Sequence, residues 1–205
     1  MDKVVMQSDR LILELLSLDA HLVGFHNLMS DEKSMKWLKK APSESLEDSK
    51  AKLLARLASP DKPWMEQYAV LLKPSSSNET GALIGILCIP RVSSDGEIPE
   101  LGYGIHSDYW GHGYASEAIA LFISFYWAEE SITPCCSCPN YPRKDSKDSL
   151  EAYTGLNNLA SERVLIKAGF RRKEGLKGVH EIVDVNSGEK VMEDVTCWTL
   201  ERPRK

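Results

Sequence analysis

Residues 109 to 116 read Tyr-Trp-Gly-His-Gly-Tyr-Ala-Ser, and the two glycines set one residue apart constrain this chain more than any other feature. They follow an extended segment and open an apolar run at helical spacing: Ala115, Ala118, Ile119, Phe122 and Ile123, prolonged by Phe125 and Tyr126. Glycine takes backbone dihedrals closed to other residues and lets a ligand approach the main chain. Gly111 and Gly113 can therefore turn several N–H groups toward one point, and the helix they open adds its positive N-terminal end. Such a strand-turn-helix is a pocket for a diphosphate.

The segment before the turn, Glu100-Leu101-Gly102-Tyr103-Gly104-Ile105, reads as a strand whose paired glycines signal a bulge or a close backbone approach. Gly-x-Gly alone also fits an ordinary strand-to-helix turn. The third glycine of a dinucleotide fingerprint is missing, and so is the Gly-Lys-Ser/Thr of a nucleotide phosphate loop. A second constellation lies downstream. Ser149 to Thr154 reads as a short strand, Asn158 suits a helix N-cap, and Gly169 suits the matching C-cap.

Elsewhere the pattern is α+β. A strand near 10–15 precedes helices near 18–29 and 44–58. Strands near 67–73, 81–90 and 99–106 follow as an antiparallel meander, with polar loops at 74–80 and 93–96. After the helix at 113–128 come a strand at 149–154, a helix at 158–168, and a final strand pair near 170–175 and 192–201. No repeat or linker divides the chain. Its 205 residues, 42% of them hydrophobic, suit one sizeable core.

Composition excludes several classes. Nothing approaches the roughly 20 apolar residues that cross a bilayer, and no basic region followed by an apolar core opens the chain. Five cysteines without a regular framework suit a reducing compartment, so a cytoplasmic location without a membrane partner is expected. A formal charge of −5 argues against nucleic acid as main partner and tolerates a cationic amine.

Taken together, the segments resemble the GNAT superfamily of acyl-CoA N-acyltransferases. Tyr109-Trp-Gly-His-Gly-Tyr-Ala-Ser-Glu-Ala is similar to the family's pyrophosphate loop and helix. Asn158-Leu-Ala-Ser161-Glu-Arg-Val-Leu-Ile-Lys-Ala-Gly169-Phe170 is similar to its second cofactor-side motif. The opening Ser8-Asp9-Arg10-Leu-Ile-Leu-Glu and the helix holding Leu28-Met29-Ser30-Asp31 resemble the branch of ribosomal-protein N-terminal acetyltransferases. The resemblance spans about residues 8 to 201 as a single domain, with an irregular insertion at about 129–148. It implies a three-layer α/β/α fold with a mixed, mostly antiparallel sheet, splayed where the strand ending at Ile105 leaves the one at 150–154. It implies acetyl-CoA as co-substrate, with main-chain atoms of Ile105, His106 and Ser107 pairing with pantetheine. The pyrophosphate would rest on Gly111, His112, Gly113, Tyr114, Ala115 and Ser116, and Asn158 would contact the pantetheine arm.

The implied reaction is direct attack of a primary amine, on a protein N-terminus or a small molecule, on a thioester. An ammonium must first lose a proton, and the leaving thiolate gains from a nearby donor. Many relatives carry a tyrosine donor four residues before the Gly-Phe pair hereafter at 169–170; this chain has Leu165. Ser161 is the candidate substitute hydroxyl, or else simply a polar residue at the helix N-terminus. Glu100 is the candidate base, with Glu181 and His180 as alternatives, whereas His112 is expected to point outward. The lost tyrosine keeps a non-catalytic acyl-CoA-binding regulatory module open as a rival. A nucleotide-binding protein using the glycine turn is a third reading, and a homodimer stays open.

Trp37, Trp64 and Tyr68 are candidates for an acceptor wall or for packing, Trp110 for support of the phosphate turn, and Trp198 for the core. Cys135, Cys136 and Cys138 invite a metal reading, but a structural zinc site wants four ligands, usually in two separated pairs, and no second pair is evident. No metal is expected.

Overall fold

A computed structural model describes residues 5–38, 40–59, 65–74, 81–91, 98–128, 148–173, 176–183 and 190–203. Strands β1 (Val5–Gln7) and β2 (Leu11–Leu15) lead into helices α1 (Leu18–Ser30), α2 (Glu32–Leu38) and α3 (Leu46–Leu54). Strands β3 (Glu66–Leu72), β4 (Leu83–Ile89) and β5 (Gly102–Ile105) follow, then helix α4 (Tyr114–Tyr126). Strand β6 (Ser149–Gly155), helix α5 (Leu159–Lys167) and strands β7 (Arg171–Arg172), β8 (Leu176–Val183) and β9 (Lys190–Glu201) complete the order.

Antiparallel pairing gives one sheet in the order β1-β2-β3-β4-β5 and a second in the order β6-β9-β7, with β8 also on β9. One parallel bridge, Glu100 to Glu151, joins them. There the Leu101 amide donates to the Glu151 carbonyl at 2.7 Å, and the Glu151 amide donates to the Pro99 carbonyl at 3.0 Å. Beyond that bridge β5 and β6 part, which is the expected splay.

Side chains alternate across a strand, so each face of the first sheet has its own core. Leu11, Leu13, Tyr68, Val70 and Leu87 pack with Ile119, Phe122 and Tyr126 of α4 and Leu165 of α5. Ala69 and Ile86 pack on the other face with Phe25, Leu28, Met29, Met35 and Leu53 from α1 to α3. The layers are α/β/α. The glycines of β5 reflect a close approach on this second face. A Cβ on Gly104 would lie 3.3 Å from Leu38 of α2, and one on Gly102 would lie 3.0 Å from the Cys88 Sγ. Helix α5 is capped as expected: Asn158 Oδ1 accepts the Ser161 amide at 3.1 Å, and Gly169 follows with φ +90°.

Four elements depart from expectation. β1 and the seven-residue α2 carry too little periodic sequence to register. The final pair is also different: β7 covers only two residues, and the longer partner of β9 is β8, whose residues are placed by register shifts between Leu176 and His180. Tyr68 does not line an acceptor wall; it is fully buried on the α4 face, edge-on to Phe122 with centroids 5.7 Å apart. Trp198 is core as expected, its indole donating to Thr154 Oγ1 at 2.9 Å. Trp64, Cys135, Cys136, Cys138 and nearly all of the 129–148 insertion lie outside the described residues.

Phe122 ties α4 to the sheet through its edge-on contact with Tyr68, and it packs on Tyr126 one turn further along the same helix. Phe122→Ala is expected to cost about 3–5 kcal/mol in a urea melt, the range for deleting a buried aromatic ring.

Candidate functional site

The glycine turn forms as the sequence requires. Gly111 has φ +78° and Gly113 has φ +81°, a left-handed region that other residues enter only with strain. Nothing crowds a Cβ at Gly111, so conformation and not space selects glycine there. Gly113 is the N-cap of α4, and the Glu117 amide is the first to find an intrahelical acceptor, Gly113 O at 3.1 Å. The amides of Tyr114, Ala115 and Ser116 thus belong to the first turn, whose N–H groups have no acceptor within a helix. Aligned with the helix dipole, they suit an anion.

Long-range contacts hold this turn in place. Glu117 accepts from Ser8 Oγ at 2.7 Å and from Arg10 Nε at 2.8 Å, while Arg10 also donates to the His112 carbonyl at 3.1 Å and lies over the Tyr114 ring. Burial pushes the Glu117 carboxyl up, but the Ser8 and Arg10 hydrogen bonds outweigh it and hold it below the usual range. Trp110 donates to the Ile105 carbonyl at 2.6 Å, tying the turn back to β5. The exposed His112 ring bonds the Trp110 carbonyl and stacks on Tyr114, pointing outward as expected.

The open edge of β5 has a definite register. His106 donates to the Ile84 carbonyl at 2.8 Å, so even-numbered residues of β5 exchange bonds with β4. The amides of Leu101, Tyr103 and Ile105 turn the other way, and Leu101 reaches β6. Tyr103 and Ile105 therefore face the splay. His106 does not, and the Ser107 amide is engaged by Asp31 Oδ2 at 2.9 Å. Of the three residues expected to present main-chain atoms, Ile105 turns its amide to the gap, and Tyr103 stands where His106 and Ser107 were expected. The strand sequence could not show this, because parity depends on which neighbour it pairs with first.

Asp31 is the clamp sequence reasoning missed. It joins the α1–α2 junction to the end of β5, accepting from Ser34 Oγ and from both the amide and the hydroxyl of Ser107. Burial raises its carboxyl, yet the bonds from Ser34 and Ser107 prevail and lower it from 3.8 to about 2.

The catalytic candidates divide between the two faces. Glu100 is mostly buried beside the splay and pairs with Arg91 Nε at 2.9 Å. Tyr103, three residues along, takes the opposite face with α4 and α5. Its hydroxyl lies 2.6 Å from Ser161 Oγ, and burial, partly offset by that bond, raises the phenol to about 12. This pair joins β5 to the first turn of α5. Leu165 is fully buried in the core. Glu181 and His180 sit on β8 opposite Met192 and Glu193; their side chains are outside the described atoms. Tyr103 escaped notice because a strand tyrosine reads as core until its partner is known.

Residues 10–171 match the family model for the Acetyltransferase (GNAT) domain. The chain belongs to the GNAT acetyltransferases. No curated protein matches it in sequence. Solved structures with the same fold include a GNAT-family acetyltransferase from Bacillus anthracis, 18% identical, covering 97% of this chain and 99% of that one at TM-score 0.69. A ribosomal-protein-S5-alanine acetyltransferase from Vibrio fischeri is 16% identical, with 97% of each chain covered and TM-score 0.69. The microcin C7 self-immunity acetyltransferase, solved with acetyl-CoA and AMP, is 13% identical, covering 95% of this chain and 93% of that one at TM-score 0.70. At these identities the likeness is one of fold. Among the described residues of this GNAT chain, no group of three His, Cys, Asp or Glu could hold a metal, and no helix is long and apolar enough to cross a membrane.

Asp31 gives a pH test of the clamp. A carboxyl lowered by folding stabilises the fold fully above its unfolded value of 3.8, and that contribution is lost as pH falls toward about 2. Asp31→Asn is expected to be less stable at neutral pH and to lose less stability between pH 3.8 and 2, as read by denaturant melts at several pH values.

Proposed function

We propose that residues 8–201 form one N-acetyltransferase domain that moves the acetyl group of acetyl-CoA to a primary amine by direct attack. The observation that carries this reading is the glycine turn at the head of α4 beside an open strand edge. The first-turn amides of Tyr114 to Ser116 would hold the pyrophosphate, with Gly111, His112 and Gly113 shaping the cradle. The pantetheine amides would pair with the main chain of Tyr103 and Ile105. Asn158 spends its Oδ1 on the cap of α5, which leaves its NH2 to donate to the pantetheine arm.

Glu100 would receive the amine proton, directly or through water. Its carboxylate also attracts the incoming ammonium, on the face opposite Tyr103. The neutral amine nitrogen then attacks the thioester carbonyl carbon, and the C–S bond breaks as the tetrahedral adduct collapses. The departing thiolate takes a proton from the Tyr103–Ser161 pair, whose phenol remains protonated at neutral pH. The products are the acetamide and free coenzyme A. A buried phenol bonded to Ser161 supports the catalytic reading over a non-catalytic cofactor-binding module, whose main support was Leu165. A protein N-terminus is the favoured acceptor through the branch resemblance, and a small amine is the alternative.

Gly113→Val places a β-branched residue at φ +81°, a strain of roughly 1–3 kcal/mol. Acetyl-CoA affinity by calorimetry should fall about 10-fold or more; an unchanged affinity removes the turn from the cofactor site. Glu100→Gln should lower turnover by about 10²–10⁴-fold, the usual share of a general base. Tyr103→Phe and Ser161→Ala should each slow turnover, and the double variant should lose less than the product of the two, since they act as one pair. Rates near normal in Glu100→Gln across pH would take Glu100 out of the mechanism.

A further inference from the structure

The Glu100 side of the sheet carries positive charge that is only partly neutralised among the described residues. In the β3–β4–β5 register Gln67, Cys88 and Gly102 stand opposite one another, so they share the face covered by α1 to α3. Lys40, just past α2, Arg56, just past α3, and Arg91, just past β4, lie close enough to act on one another electrostatically, with Cys88 of that face among them. Arg91 has Glu100 as partner. The other two do not have a carboxylate within ion-pair distance among the described residues.

Arg56 is the clearest case. Its guanidinium lies against apolar groups, 5.8 Å from the Phe25 ring centroid and with one terminal nitrogen 4.0 Å from the Met29 sulfur. Its Nε is buried without a hydrogen-bond partner. A buried donor left unsatisfied costs free energy, and a guanidinium held among apolar groups keeps its terminal nitrogens as the groups that can meet an anion. Lys40 adds a second cation. Desolvation of its ammonium lowers it to about 8, and the charges of Arg56, Arg91 and Lys52 act in the same direction against a smaller opposing effect of Cys88. Lys52 is itself paired with Asp48. In a chain of net charge −5, Lys40 and Arg56 thus add local positive charge on the Glu100 side of the sheet.

We infer that the acceptor carries an anionic group within reach of its amine, and that Lys40 and Arg56 bind that group while Glu100 faces the amine. This rests on the acetyltransferase reading above and names the substrate class for the same site. The required chemistry is a carboxylate or phosphate, which an acidic residue beside a peptide N-terminus, a free amino acid or a phosphorylated amine would each supply. A guanidinium and an ammonium recognise such groups through charge-assisted hydrogen bonds. An acceptor of purely cationic character, such as a polyamine, would be repelled.

The test is acetyl transfer to acceptors matched in shape and differing in charge: Ser-Asp against Ser-Asn peptides, serine against serinamide, and phosphoethanolamine against ethanolamine. At least one pair should show kcat/KM favouring the anionic member by about 10- to 100-fold, the range for charged hydrogen bonds; which pair does so identifies the source of the charge. Lys40 is exposed as a residue, with its ammonium partly desolvated, so its replacement spares the core. Lys40→Met should lower kcat/KM about 10-fold more for the anionic member than for the neutral one, through KM, and Lys40→Glu should invert the preference. Equal rates for both members of every pair, or equal losses on both in Lys40→Met, would overturn the inference while leaving the enzyme intact. Calorimetry with acetyl-CoA separates the two levels: a protein that does not bind it overturns the acetyltransferase reading, and this inference with it.

Discussion

A single parallel bridge organises this molecule. Main-chain bonds between Leu101 and Glu151, and between Glu151 and Pro99, hold the approach to β5 against β6 at a single point among the described residues. Because the strands diverge from there, the amides of Tyr103 and Ile105 face a gap where a central strand would normally face a neighbour. A backbone N–H or C=O facing a gap wants a partner. The gap therefore has a built-in preference for an extended ligand with amides of its own, and the glycine turn stands at its wide end.

What keeps this arrangement rigid is charge distributed over distant segments. Arg10 from the start of β2 reaches the α4 turn, and Asp31 from the α1–α2 junction reaches the end of β5. Each carboxylate partner, Glu117 and Asp31, is held ionised against the effect of burial by several donors at once. Preorganised groups need not reorder when ligand binds, which is the physical advantage of such clamps. Alternation along β5 then separates the chemistry: Glu100 faces the acceptor side with Arg91, and Tyr103 faces the thiol side with Ser161.

Much of this was legible in the chain. Helix α4 was visible from its 3.6-residue period, and Gly111 and Gly113 were visible as a turn because few other residues tolerate their dihedrals. The caps at Asn158 and Gly169 are local chemistry and formed as read. Short elements were not legible: α2 has seven residues, and β1 only three. β8 was missed because its pairing with β9 shifts in register, which an alternation pattern does not reveal. The roles of His106 and Ser107 were misjudged for a similar reason, since their amides are engaged by Ile84 and Asp31, residues more than a helix away in sequence.

The sequence by itself determined the local geometry of the glycine turn, the course of α4 and α5, and the absence of a tyrosine at position 165. These depend on dihedral freedom, capping and periodicity, which act over a few residues. Only the tertiary structure decided that Tyr103 meets Ser161, that Asp31 fixes the end of β5, and that Arg56 and Lys40 stand together without a described counter-charge. Those facts depend on strand register and helix packing, which bring together residues far apart in the chain, and no local signal encodes such distances.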